Sequence, residues 1–192
     1  MAAVYAALAS GLKAGDRIVS ARALFGSCHY IVAEELPRFG IETEFVDGTD
    51  LEQWRTALSK PAAAVFLETP SNPALEVIDI AAVSELAHGA GARVVIDNVF
   101  ATPVLQKPLQ LGADVVVYSA TKHIDGQGRT MGGVVLTNDK DYVEDLLMPF
   151  LRHTGPSLSP FNAWTLLKGL ETIDLRVRRM SENALKVAGA LE

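Results

Sequence analysis

Apolar positions along the chain fall into two alternating patterns, short runs rich in valine and isoleucine and longer stretches with apolar residues three and four apart. Met1 to Ser10 reads as a helix ending at Gly11-Leu12-Lys13-Ala14-Gly15, with no residue before Met1 to cap it. Arg17 to Ala21 predicts the first strand, followed by a helix from about Cys28 to Phe39 that Gly40 stops. Glu42 to Val46 predicts a second strand, and Thr49-Asp50-Leu51-Glu52 has the capping-box spacing that starts a helix reaching about Leu58. Ala63 to Glu68 is apolar enough for a strand buried on both faces, and a proline-rich turn, Thr69 to Pro73, follows it. Asp79 caps a helix running to Ala90. Arg93 to Asp97, Asp114 to Tyr118 and Gly132 to Thr137 predict three more strands. Helical spacing then covers Lys140 to Leu151, Pro160 to Leu170 and about Leu175 to Leu191.

Strands and helices that alternate in this way predict an α/β fold, a three-layer αβα arrangement with a mostly parallel central sheet. The 192 residues suffice for one such domain spanning residues 1–192. In open sheets of this class ligands lie beyond the carboxyl ends of the strands. The polar residues that close apolar strands are therefore the candidates for chemistry: Glu68, Asp97, and Ser119 through Lys122.

Composition narrows the function classes. A net charge of −6 with no long Lys/Arg run gives no basic field for nucleic acid. The one cysteine, Cys28, has no partner for an internal disulfide or a CxxC zinc site, so a reducing, cytoplasmic location is expected. The apolar start lacks the positive charge of a signal peptide, and no stretch approaches the roughly 20 apolar residues of a membrane helix. The four histidines, at 29, 88, 123 and 153, show no metal-ligand spacing, and no metal site is expected.

A carboxylate closing a buried strand, as Asp97 does, is costly unless paired or hydrogen-bonded, and by itself it reads as a loop brace. Ser119-Ala120-Thr121-Lys122 places two hydroxyls and an amine at the same sheet edge, and by itself reads as a loop with an exposed lysine. Together they suggest more. Lysine forms Schiff bases, hydroxyls and backbone N–H groups cradle phosphate, and an aspartate keeps a pyridine nitrogen protonated. Those are the requirements of pyridoxal 5′-phosphate (PLP).

Val95-Ile96-Asp97-Asn98 and Tyr118-Ser119-Ala120-Thr121-Lys122-His123, with Leu24-Phe25-Gly26, Glu68 to Pro73, Asp97 to Pro103 and Leu158-Ser159-Pro160, resemble the Cys/Met-metabolism family of PLP enzymes. The resemblance covers essentially the whole chain, and implies the PLP-binding large domain of that fold. Ser119 through Arg129 is most similar to the members that act as O-succinylhomoserine sulfhydrylases. It implies that Lys122 carries the Schiff base and moves substrate protons, that Asp97 pairs with the pyridine nitrogen, and that Ser119 and Thr121 bind the phosphate. It also implies that Asn72 meets the ring's phenolic oxygen with Glu68 behind it, that Phe25 stacks on the ring, and that the Met1 backbone N–H meets the phosphate. For Phe25, spacing alone favours core packing.

The implied reaction is γ-replacement, in which O-succinyl-L-homoserine and sulfide give L-homocysteine and succinate; cystathionine γ-synthase and γ-lyase activities are the alternatives within the family. Phe25 stands where many members carry a tyrosine whose hydroxyl assists the leaving group, which leans toward a carboxylate leaving group. Outside the family, Ser119-x-x-Lys122 matches the spacing of serine β-lactamases, but the companion S-D-N and K-T-G elements do not occur. Gly126-Gln127-Gly128-Arg129 lacks the third glycine of a dinucleotide loop.

The resemblance further implies a homotetramer, an N-terminal arm with a Tyr-x-Arg element and a C-terminal small domain whose arginine grips the substrate carboxylate. Residues from about 175 to 192 would lead toward that small domain, and a truncated, catalytically incompetent PLP-binding fragment is the competing expectation. Arg176, Arg178 and Arg179 read as a solvated helix face.

Overall fold

The computed structural model describes residues 1–192. A six-stranded sheet of order β2-β1-β3-β4-β5-β6 forms its middle layer, from β1 (Arg17–Ala21), β2 (Glu42–Val46), β3 (Ala64–Glu68), β4 (Arg93–Asp97), β5 (Val115–Ser119) and β6 (Gly133–Thr137). The first five strands run parallel, and β6 pairs antiparallel with β5 at the edge. The strand order reverses between β1 and β3, which is where sheets of this class open a crevice at their carboxyl edge.

The two-residue period of a strand sorts side chains between the two faces. Val19, Val65, Leu67, Val94, Ile96, Val116 and Tyr118 enter one core, with Trp54 and Val83 from α3 (Leu51–Ala57) and α4 (Ile80–Gly89). Ile18, Ala64, Phe66, Val95, Val115 and Val117 enter the other, with Val4 and Leu8 from α1 (Ala2–Ala9) and Cys28 from α2 (Gly26–Tyr30). The three layers expected from the sequence are present. Continuous apolar runs in β3 and β4 follow from burial on both faces.

Two predicted helices differ in form. The stretch from Gly26 to Phe39 is continuous, but α2 widens to a π-helical turn over Ile31–Glu35 and tightens to a 3₁₀ turn over Leu36–Phe39. Tyr142–Leu147 is likewise π-helical before α6 (Met148–Thr154). Each wide turn precedes a proline, Pro37 or Pro149, whose nitrogen has no hydrogen to donate to the α ladder. At α3 the cap is Asp50 rather than Thr49: Asp50 accepts from the backbone N–H groups of Glu52 and Gln53, while the Thr49 hydroxyl donates to Asp47. Asp79 caps α4 as expected, accepting from Ala82 N–H.

The fifth strand sits one residue later than predicted: Asp114 N–H still donates to Val94 O, but Val94 N–H is taken by the Asp114 carboxylate at 2.7 Å instead of by a backbone carbonyl. Two short elements went unpredicted, α5 (Thr102–Leu105) and a 3₁₀ turn at Pro108–Leu111. The chain ends in α7 (Pro160–Leu170) and α8 (Ile173–Leu191), the latter starting two residues before the predicted onset. No helix is long and apolar enough to cross a membrane.

Candidate active site

Strand alternation decides which polar residues meet. Glu68 follows Phe66, Asp97 follows Val95 and Ser119 follows Val117, each by two positions, so all three lie on the sheet face that carries α1 and α2. Glu68 and Asp97 are register partners in the parallel β3–β4 pair, and Asp97 is opposite Val117 on β5. The sequence order of three separate strand ends thus becomes one row along the carboxyl edge of the sheet.

Asp97 is 6% exposed. Its Oδ1 accepts from Val99 N–H at 3.1 Å, and its Oδ2 faces the Cys28 thiol at 3.6 Å. Burial pushes its titration above the usual carboxylate range, against the Val99 and Cys28 hydrogen bonds and the positive charge at the Met1 amino end. Glu68 is also buried, and its carboxyl is pushed up to about 7, chiefly by desolvation, against the pull of the Phe25 and Asn72 backbone amides and with a further push from Asp97. The Phe25 N–H donates to Glu68 Oε2 at 2.6 Å, a bond that spans the reversal point between β1 and β3.

Phe25 is not core. It precedes α2 in an extended conformation and is 44% exposed, so its ring remains available at the crevice while its backbone is held by Glu68. Asn72 is half-buried between two cis peptide bonds, Thr69–Pro70 and Asn72–Pro73.

The amino end of α1 completes the other side. Ser119 pairs with Gly133 across β5 and β6, and a methyl on Gly133 would press on the Ala3 side chain, so α1 begins over that strand pair. Met1 is exposed and supplies no side-chain cap, leaving the first backbone N–H groups of α1 without an intrahelical partner. Thr121 engages Gly132 twice, accepting from its N–H at 3.1 Å and donating to its carbonyl at 3.3 Å. The second bond is long and is the one an incoming anion would replace.

Lys122 is exposed and forms no ion pair. The loop bearing it is tightly held. Lys122 N–H donates to Ser119 O, Gly126 N–H to Lys122 O, and the fully buried Asp125 accepts from the backbone N–H groups of Gln127 and Arg129 and from Arg129 Nε. Arg176 of α8 then donates to the carbonyls of His123, Ile124 and Gly169. Arg176 is thus not part of a solvated face; only Arg178 and Arg179 are, pairing with Asp174 and Glu182. Composition could not separate the three arginines, because which side of α8 meets the Lys122 loop depends on how α7 and α8 pack.

Sequence reasoning also passed over Cys28 as a neighbour of Asp97. The available signal was positional: Cys28 lies in the first turn of the helix that Phe25 opens, above the same sheet face as Asp97.

The donor set fits PLP. A buried carboxylate suits a protonated ring nitrogen, an exposed phenyl ring suits a flat aromatic ligand, and a hydroxyl beside free helix N–H groups suits a phosphate. Lys122 supplies the one unpaired amine on the adjoining loop.

Comparison with known proteins agrees in sequence and in shape. An O-succinylhomoserine sulfhydrylase of Mycobacterium tuberculosis (strain ATCC 25618 / H37Rv) is 59% identical over 188 residues, covering 98% of this chain and 46% of that protein. An L-methionine gamma-lyase of Fusobacterium nucleatum subsp. polymorphum is 42% identical over 189 residues, covering 97% of this chain and 48% of the relative. The crystal structure of metB from Corynebacterium glutamicum superposes with a TM-score of 0.95 at 38% identity, over 100% of this chain and 49% of that one. The chain spans about half the length of the curated relatives it matches. The model for Cys/Met metabolism PLP-dependent enzymes matches residues 1–192, and with these identities the chain belongs to that PLP-dependent enzyme family.

Proposed function

We propose that the protein catalyses γ-replacement on O-succinyl-L-homoserine, exchanging succinate for sulfide to form L-homocysteine. The observation that carries this is the row of Glu68, Asp97 and Ser119 on one sheet face, with the Lys122 loop continuing from β5. When bound, PLP supplies an electron sink conjugated to the substrate's Cα.

In this reading Asp97 holds a proton on the ring nitrogen by offering a carboxylate already shielded from water. Ser119, Thr121 and the first N–H groups of α1 from Met1 onward take the phosphate, where the helix end adds favourable dipole charge. Phe25 covers the ring, and Glu68 fixes Phe25 through its backbone N–H. Asn72 meets the phenolic oxygen. Lys122, on a flexible stem, would hold the cofactor and, once the substrate amine had displaced it as a free amine, would move protons at Cα and Cβ of the substrate.

The choice of leaving group follows from Phe25. Its ring has no proton to give. Succinate departs as a weakly basic carboxylate and requires none, whereas a thiolate leaving group is more basic and gains from a general acid. The identity to the sulfhydrylase, 59%, exceeds that to the methionine gamma-lyase, 42%, and points the same way. Cystathionine γ-synthase chemistry, with a thiol amino acid in place of sulfide, is the nearest alternative.

The assembled protein is read as a homotetramer in the cytoplasm; the exposed apolar side chains Phe161 and Trp164 on α7 support only that this face is covered by a further surface. The test is product formation: PLP-loaded protein given O-succinyl-L-homoserine and sulfide should release homocysteine and succinate in equal amounts. Release of α-ketobutyrate and ammonia instead would overturn the γ-replacement reading in favour of γ-elimination.

A further inference from the structure

Cys28 lies 1% exposed in the first turn of α2, and its Sγ faces Asp97 Oδ2 at 3.6 Å. The two oxygens of Asp97 are thereby distinguished: Oδ1 is tied to the loop through Val99 N–H, and Oδ2 has the thiol. A buried thiol usually acts as a small apolar filler. Here it points at a carboxylate oxygen, and an apolar group in its place would leave that oxygen desolvated with one fewer donor.

The direction of the proton is settled by the surroundings. Burial, then the charges of Asp97 and Glu68, push the Cys28 thiol far up, so the sulfur keeps its hydrogen and donates it. The charged groups around the pair are Glu68 on the neighbouring strand and the amino end of Met1. Both partners stand on rigid elements, a helix turn and a strand end. The donor therefore fixes the plane of the carboxylate as well as its charge.

We propose that Cys28 is a positioning residue for Asp97, its S–H orienting the carboxylate through the hydrogen bond to Oδ2. The inference rests on the reading of Asp97 as partner of the ring nitrogen, and the experiment separates the two.

The paired variants are Cys28→Ser, which retains a donor, and Cys28→Ala, which does not. In cofactor-free protein, the ¹³C shift of the Asp97 carboxyl is followed against pH. The Ala variant should titrate at least about half a pH unit above the Ser variant, with Ser at or below the natural protein. The PLP-loaded proteins should show the same order in the pH dependence of their visible absorbance. Should Ala fail to fold, Cys28→Thr and Cys28→Val repeat the comparison with near-equal volumes. Equal titration of the donating and non-donating variants would overturn the role of Cys28 alone. A protein that takes up no PLP would overturn the reading of Asp97, while the cofactor-free titration still reports on the hydrogen bond.

Discussion

The Phe25 backbone N–H donates to Glu68 Oε2 at 2.6 Å, joining the turn after β1 to the end of β3 across the point where the strand order reverses. One buried carboxylate therefore sets the position of the aromatic residue at the crevice while standing beside Asp97 in the sheet register.

The charge on Glu68 has a consequence for stability. Its carboxyl is raised from 4.5 to about 7 in the folded chain. Between those values the folded state holds a proton that the unfolded state has released, so this group's contribution is complete below about pH 4.5 and lost as pH rises toward 7. Glu68→Gln retains an oxygen for Phe25 N–H and removes the buried charge. Denaturant unfolding of the variant should lose that slope and gain on the order of 3 kcal/mol relative to the natural protein on going from pH 5 to pH 8. Parallel profiles would contradict the assignment.

Gly169 supports the Lys122 loop by lacking a side chain. A methyl there would overlap the Ile124 carbonyl oxygen, a backbone atom that cannot swing aside. Gly169→Ala should cost about 1–3 kcal/mol by overpacking, read as a lower denaturant midpoint. An unchanged midpoint would show that α7 can shift away from the loop freely.

Arg176 binds three carbonyls, two of them in the loop that carries Lys122. Arg176→Ala should lower stability by about 2–3 kcal/mol and speed amide exchange at Asp125 and Gly126. Arg176→Lys should recover only part, because one ammonium cannot reproduce the guanidinium fork. Full recovery by lysine would reduce the contact to a point charge.

Much of the fold was legible in the sequence because its signals are periodic. Valine-rich runs located all six strands and marked Glu68, Asp97 and Ser119 as polar residues at three of their ends, whereas the face they share depends on the register of the assembled sheet. The capping residue of α3 was misplaced by one, since Thr49 and Asp50 are both good caps and the choice depends on the turn at Asp47. The π-helical turns before Pro37 and Pro149 follow from missing donors, a local signal that the helical period conceals. Arg176 and Cys28 were hidden for another reason. Their partners, Ile124 and Asp97, are 52 and 69 residues away, and only tertiary packing brings them together.

Phe25→Tyr returns a hydroxyl to the crevice beside the candidate site. The variant should gain γ-elimination on sulfur amino acids, measured as ammonia and 2-oxo acid released from L-methionine or L-cystathionine, with homocysteine formation from O-succinyl-L-homoserine reduced or unchanged. No gain would show that the leaving-group preference is set elsewhere.

The central claim is that Lys122 joins PLP at the carboxyl edge of this sheet. Protein incubated with PLP, reduced with borohydride and digested should yield one pyridoxyl-modified peptide, with the label on Lys122; Lys122→Ala should yield none while retaining a cooperative unfolding transition. Labelling of another lysine, or equal labelling in the Lys122→Ala variant, would contradict the account.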